Sequence, residues 1–141
     1  MNANDSVQAA GLGGAFGDLS QRVIGCALAV SNTLGGGFLE SVYENALAVE
    51  LESRRIPFER QKALIVRYCS VEVGHFYADL VIDGRLLVEL KALRQLTAEH
   101  EAQVMNYLRA TDLRVGLLQS FGAPRLGVRR FVWGYQDDST I

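Results

Sequence analysis

Cysteine, histidine and proline each occur only twice in the 141 residues, and tryptophan once. Cys26 and Cys69 stand far apart without ligand spacing, which argues against a disulfide framework and against a thiolate zinc site. They read as buried free thiols in a reducing, cytoplasmic setting. His75 and His100 have no second histidine or cysteine at metal spacing, so histidine-held zinc is disfavoured as well. No apolar run approaches the ~20 residues of a membrane span, and the N-terminus lacks a basic stretch leading into an apolar core, so no secretory signal is expected. A phosphate-cradling loop of dinucleotide or Walker type is missing: Gly35-Gly36-Gly37 lacks the lysine and lies between two helical patterns. No serine sits in a nucleophile elbow. The formal net charge of −2 argues against a basic coat for bulk nucleic-acid binding. It leaves room for local basic groups, Arg54, Arg55, Arg60 and Lys62 in one stretch and Arg125, Arg129 and Arg130 in another.

The chain has 49% apolar and 21% charged residues, the balance of a globular protein, and a length that fits one domain. Residues 1–17 are small, polar and glycine-rich and read as a flexible leader. From Asp18, the residues Leu19, Val23, Ala27 and Val30 follow a helical period, with Asp18 or Ser20 as the cap, up to the glycine run. A second helix is expected from Leu39 to Arg54, closed off by Pro57. Strands are expected over Phe58 to Tyr68, Glu72 to Ile82 and Arg85 to Lys91. Thr97 then caps a helix from Ala98 to Ala110, with Glu99 and Glu101 in its first turn. Val115 to Gln119 and Leu126 to Val132 read as the last strands, the latter an apolar edge compatible with a homodimer. Residues 18–134 form one α/β domain with a mixed sheet flanked by helices, because three strands in a meander followed by a helical crossover make such a sheet. The acidic end, 135–141, reads as a flexible tail.

The chemistry concentrates between Ala78 and Lys91. Two runs rich in Val, Ile and Leu join through Asp83-Gly84, a strong hairpin signal. Asp79 interrupts the first run, and Glu89 and Lys91 interrupt the second. Alternation puts Glu89 and Lys91 on one face. A two-residue turn would set Asp79 opposite Val88 on the other face. A three-residue loop Ile82-Asp83-Gly84, with Gly84 left-handed, would pair Val81 with Arg85 and put Asp79 opposite Leu87, diagonal to Glu89 and on its face. The second register is expected. Two carboxylates and a lysine on a largely apolar strand make either a partly solvated salt bridge or a divalent-metal site of hard oxygen ligands with a lysine beside the reacting group.

Two further groups bear on that choice. Glu40 and Tyr43 share a face of the second helix; they are either a dipole-favoured first-turn carboxylate and a core tyrosine, or site residues. His100, Gln103 and Tyr107, at i, i+3 and i+7, make a polar-aromatic stripe on the last helix. The stripe is either exposed or lines a cleft near Glu89 and Lys91.

Asp79 followed on the next strand by Glu89-Leu90-Lys91 resembles the core motif of the PD-(D/E)XK nuclease superfamily, with Ala78 where a proline is usual. Gly37, Glu40 and Tyr43 resemble the naming motif of the small bacterial GxxExxY family of that superfamily. The run Leu96-Thr97-Ala98-Glu99-His100-Glu101-Ala102-Gln103 and the later Asn106-Tyr107-Leu108 are similar to it as well. Gln103 and Tyr107 are similar to the Q-x-x-x-Y element of exonuclease-like branches. The likeness runs from about Leu19 to Trp133. It implies a restriction-endonuclease-like fold with an αβββαβ core and hydrolysis of phosphodiester bonds in nucleic acid, DNA rather than RNA. It implies Mg²⁺ or Mn²⁺ held by Asp79, Glu89, the Leu90 carbonyl and Glu40, with Lys91 activating water. Gln103 and Tyr107 would touch the scissile phosphate or fix Lys91, and Tyr43 and His100 are expected to contact substrate. The rival expectation is a nuclease-fold module that binds nucleic acid or a partner and does not cut.

Overall fold

Glycine and proline set the element boundaries. The computed structural model describes residues 14–134, with side chains from residue 18 onward; residues 1–13 and the expected tail 135–141 lie outside the described residues. Helix α1 (Gly14–Leu34) stops at the glycine run, where Gly35 and Gly37 take φ values of +67° and +106° that other residues rarely adopt. Its start lies before the expected one, so Asp18 and Ser20 are inside the helix and do not cap it. Ser20 is buried instead, its hydroxyl accepting from Arg130 Nε at 3.4 Å. Helix α2 (Glu40–Ser53) has Leu39 at its N-cap and no side-chain cap there. The loop before it is held from inside: the Tyr43 hydroxyl donates to the Gly35 carbonyl at 2.7 Å and accepts from Phe38 N–H at 3.2 Å.

The strands are β1 (Phe58–Tyr68), β2 (Val71–Ile82), β3 (Leu86–Lys91), β4 (Val115–Ser120) and β5 (Gly127–Val132), with helix α3 (Ala98–Ala110) between β3 and β4. They form one sheet in the order β1-β2-β3-β4-β5, in which only the β3–β4 pair is parallel. That pair is joined by α3, as parallel neighbours require a crossover. Thr97 caps α3 and accepts from His100 N–H, while the His100 ring accepts from Thr97 N–H, completing a reciprocal cap.

The sheet separates two apolar layers. On one side α1 and α2 cover Leu80, Ile82, Leu86, Val88, Leu90, Val115, Leu117 and Val128, with Val23, Ala27, Leu47 and Leu51 from the helices. On the other, Val104 and Leu108 of α3 pack on Ala78, Val81, Leu87 and Leu118. β3 and β4 are buried throughout apart from Lys91, as central strands covered on both faces should be.

Two expectations need correction. Cys26 is buried as expected, but Cys69 is exposed, in the left-handed turn between β1 and β2. The β2–β3 register pairs Ile82 with Leu86 and Val81 with Leu87, so the connecting residues are Asp83-Gly84-Arg85. Both Asp83 and Gly84 are left-handed, at φ +52° and +66°, and this closes Arg85 N–H onto the Ile82 carbonyl at 2.9 Å. The difference from the expected pairing is two residues. Continued along the strands it would move the point opposite Asp79 from Leu87 to Glu89, but the pairing itself ends at Leu80 and Val88.

Candidate active site

Asp79 sits at a gap in the β1–β2 ladder. In β1 and β2, Arg60 pairs with Leu80 and Lys62 with Ala78, but Gln61 and Asp79 between them are unpaired. Gln61 has φ +46°, a conformation uncommon for a residue with a side chain. The alternation of faces shifts there by one residue. Leu80 belongs to the layer under α1 and α2, whereas Ala78, of the same parity, packs in the layer under α3. The same holds in β1 for Phe58 and Leu64. Asp79 lies at the change of phase, and β3 parts from β2 beside it, since the paired residues end at Leu80 and Val88.

Side chains replace the ladder hydrogen bonds at this gap. Asp79 Oδ2 accepts from Leu90 N–H at 2.8 Å, and Glu89 Oε1 accepts from Asp79 N–H at 3.2 Å. The two strands are thereby joined carboxyl to backbone in both directions. Glu89 is only 6% exposed. Burial, and then the neighbouring Asp79 charge, push its carboxyl up to about 8; the Asp79 N–H and the Lys91 charge pull it back in part. The two carboxyls are also in hydrogen-bond contact, which raises Glu89 further. The structure therefore brings Asp79, Glu89 and Lys91 together.

On the α2 side, Glu40, Ser41, Glu44, Gln61, Asp79 and Leu90 line a cleft of about 210 Å³. Glu40, in the first turn of α2 and exposed, thus shares a cleft with Asp79, whereas Glu89 and Lys91, expected in the same cleft, do not line it. Gln61 and Glu44 were not anticipated. Gln61 Nε2 donates to Glu44 Oε1 at 2.6 Å and to Asp79 Oδ1 at 3.3 Å. Glu44 is in turn held by Arg60, through Nε at 3.1 Å and a terminal nitrogen at 2.9 Å. Nothing in residue type marks Gln61 as left-handed. Glu44 lies one turn beyond Glu40, and that spacing is the signal that could have found it.

On the other side α3 approaches Glu89. Gln103 Nε2 donates to the Tyr107 hydroxyl at 2.7 Å, and the Tyr107 ring stacks on Phe76 at 3.6 Å. Burial and then the Glu89 charge raise the Tyr107 phenol above its usual range. Gln103 and Tyr107 thus belong to the surroundings of Glu89, and their stripe is half-buried rather than freely exposed.

Two expected substrate contacts are placed otherwise. Tyr43 is fully buried, its ring stacked on Phe121 at 4.7 Å and its hydroxyl tied to the Gly35 loop, so it shapes the site's support from the core. The His100 ring nitrogen nearest the backbone is committed to the α3 cap.

Among the described residues, no three or more Asp, Glu, His or Cys side chains gather closely enough to enclose a metal ion. The donors at the gap are oxygens only, from two adjoining carboxyls whose mutual repulsion a cation would relieve. Magnesium commonly binds through one or two carboxylates, keeps several waters and takes the rest of its shell from phosphate, and it needs no protein cage. The donor set fits such a hard divalent cation.

Residues 17–131 match the sequence model of the PD-(D/E)XK nuclease superfamily. No curated protein matches the chain. The crystal structure of SSO0001 superposes over 72% of this chain and 53% of its own, with a TM-score of 0.51 and 15% identity. The chain thus spans about half the length of that protein, and at this identity the likeness shows the fold alone. The mixed five-stranded sheet with helices on both faces is of the restriction-endonuclease-like kind. The chain belongs to the PD-(D/E)XK nuclease superfamily.

Proposed function

We propose that this protein is a metal-dependent nuclease that hydrolyses phosphodiester bonds, in DNA rather than RNA, and that it is a member of the GxxExxY branch of its superfamily. The observation that carries the reading is the parting of β2 and β3 at Asp79 and Glu89, where two carboxyls adjoin and the Lys91 charge acts on one of them. A purely structural salt bridge has no use for a second carboxylate beside a carboxyl that burial first, and then the Asp79 charge, push up to about 8.

Asp79, Glu89, the Leu90 carbonyl and Glu40 are the residues that would hold Mg²⁺ or Mn²⁺. When bound, the cation lowers the pKa of a coordinated water and offsets charge on the phosphate. Lys91 supplies a fixed positive charge where negative charge builds on the transferring phosphoryl oxygens, and it orients the attacking water. Leu90 N–H and Gln61 fix the Asp79 carboxylate in the gap, so its orientation does not depend on its own rotamer freedom. Gln103 and Tyr107 hold each other by a hydrogen bond on the Glu89 side, the place from which they would steady Lys91 or the phosphate.

The test is a cleavage panel with linear, nicked, branched and single-stranded DNA and with RNA, in Mg²⁺, Mn²⁺ or EDTA, with Asp79→Ala as the control. Cleavage of a DNA by the wild type in the presence of cation, abolished in the variant, supports the proposal. Binding without cleavage under every condition would assign the chain to the non-cutting module instead.

A further inference from the structure

A second cleft opens at the C-terminal ends of β3 and β4, of about 220 Å³, lined by Arg94, Gln95, Leu96, Ser120, Ala123, Gly127 and Arg129. It is tied rigidly to the candidate active site. Lys91 pairs with Ser120 in the parallel ladder, and Phe121 N–H donates to the Lys91 carbonyl at 2.9 Å. The Ser120 hydroxyl donates to the Leu93 carbonyl at 2.5 Å. Gly122 lies so close to Leu93 that an added Cβ would come within 2.1 Å of its backbone. The segment that carries Arg94 is therefore fastened to the β4 end, and Arg94 follows Lys91 by three residues, a reach of at most ~10 Å along the chain.

The charges lining this cleft are positive, with one exposed carboxylate, Glu101, at the edge of ion-pair reach. The Arg94 side chain has no ion-pair or hydrogen-bond partner among the described residues. Arg129 Nε stands 4.0 Å from Glu101 Oε1, the outer limit of an ion pair, with both side chains well exposed, which is worth little. Its other interaction is a hydrogen bond from a terminal nitrogen to the Val128 carbonyl at 3.2 Å. By contrast, the cations of the β1–β2 hairpin are matched: Arg60 with Glu44, Lys62 with Glu59 and Arg67 with Glu72. In a protein of net charge −2, weakly compensated guanidinium groups at one cleft near Lys91 form a local attractor for anions.

We propose that the cleft of Arg94 and Arg129 is a backbone subsite that seats a phosphate of the nucleic-acid strand flanking the one opposite Lys91. The proposal rests on the nuclease reading for the identity of the strand. Two guanidinium forks suit phosphate oxygens, and the absence of aromatic residues from the lining makes it a positioning subsite that does not read bases.

The test measures anisotropy of a fluorescent oligonucleotide over a series of chloride concentrations in EDTA, where no cleavage occurs. It compares wild type, Arg94→Gln, Arg129→Gln and the double variant. Removing both guanidinium groups from the one bound phosphate should lower the slope of log affinity against log salt by roughly one in the double variant, and by part of that in each single variant, uniformly across sequences. Unchanged thermal melting would confirm that the exposed substitutions leave the fold intact. Equal slopes and affinities for all four proteins overturn the subsite, as does a wild type that binds no oligonucleotide. Displacement of the oligonucleotide by inorganic phosphate, beyond that by chloride of equal ionic strength, would assign the cleft to a free phosphate anion and overturn the strand assignment. Failure here is distinguishable from failure of the nuclease reading: a protein that cuts while the arginine variants bind like wild type keeps the activity and loses the subsite. One that shows the slope change and cuts nothing does the reverse.

Discussion

Replacing Glu89 with glutamine should change the protein's stability at alkaline pH and leave it nearly untouched in acid. In the folded protein without cation, burial and the Asp79 charge raise the Glu89 carboxyl from 4.5 to about 8. Between those values the folded state holds a proton that the unfolded chain releases, so stability falls as pH rises through the window. At about 1.4 kcal/mol per pH unit, the full window amounts to at most roughly 5 kcal/mol. That is a large share of the 5–15 kcal/mol typical of a domain, by order of magnitude. Glutamine resembles the protonated acid in shape and does not titrate. Urea unfolding in EDTA should therefore find Glu89→Gln close to wild type near pH 5 and more stable by a few kcal/mol near pH 8.5. Other titrating groups are common to both proteins, so the difference curve isolates this carboxyl. Adding Mg²⁺ should stabilise the wild type most at the alkaline end, where the two carboxylates would otherwise repel, and should shrink the gap. Parallel pH profiles for the two proteins would refute the coupled, buried pair.

Two more expectations concern the frame around the site. Gly122→Ala would drive a Cβ into the Leu93 backbone at 2.1 Å, where no flexible side chain can yield; the variant should lose several kcal/mol or fail to fold, read as solubility and thermal midpoint. Tyr43→Phe keeps the stacking on Phe121 but removes the hydroxyl bonds to Gly35 and Phe38. It should cost roughly 1–2 kcal/mol in urea unfolding, with greater proteolytic cleavage of the 35–38 loop.

Much of the fold was legible because its boundaries rest on residues with strong local preferences. The glycine run after Leu34, Pro57, and Thr97 ahead of α3 all act where the sequence placed them. Central strands were legible as apolar runs, and the crossover between β3 and β4 followed from a helix lying between them. The start of α1 was not, because Gly14 and Gly17 have weak helix preference. For the site, the approach of Asp79 to Glu89 across β2 and β3 was readable, while the change of face at Gln61 and Asp79 was not. A left-handed glutamine and a phase change shared by two strands are products of tertiary packing and leave no periodic trace. Tyr43 shows the opposite difficulty. Its spacing from Glu40 is equally suited to a substrate-facing residue and to a core residue, and only its burial decides for the core.

The central claim is that the gap between β2 and β3 works with Lys91 as one catalytic unit. The most direct test is the Mn²⁺-dependent cleavage rate of wild type against Lys91→Ala on the DNA best cut in the panel, at protein concentrations that give equal substrate binding. Lys91 is half-buried at the end of β3, so its truncation should leave folding intact. The account predicts that the variant binds and loses at least about a hundredfold in rate, the scale of removing one positioned electrostatic group. Equal rates for the two proteins would contradict it.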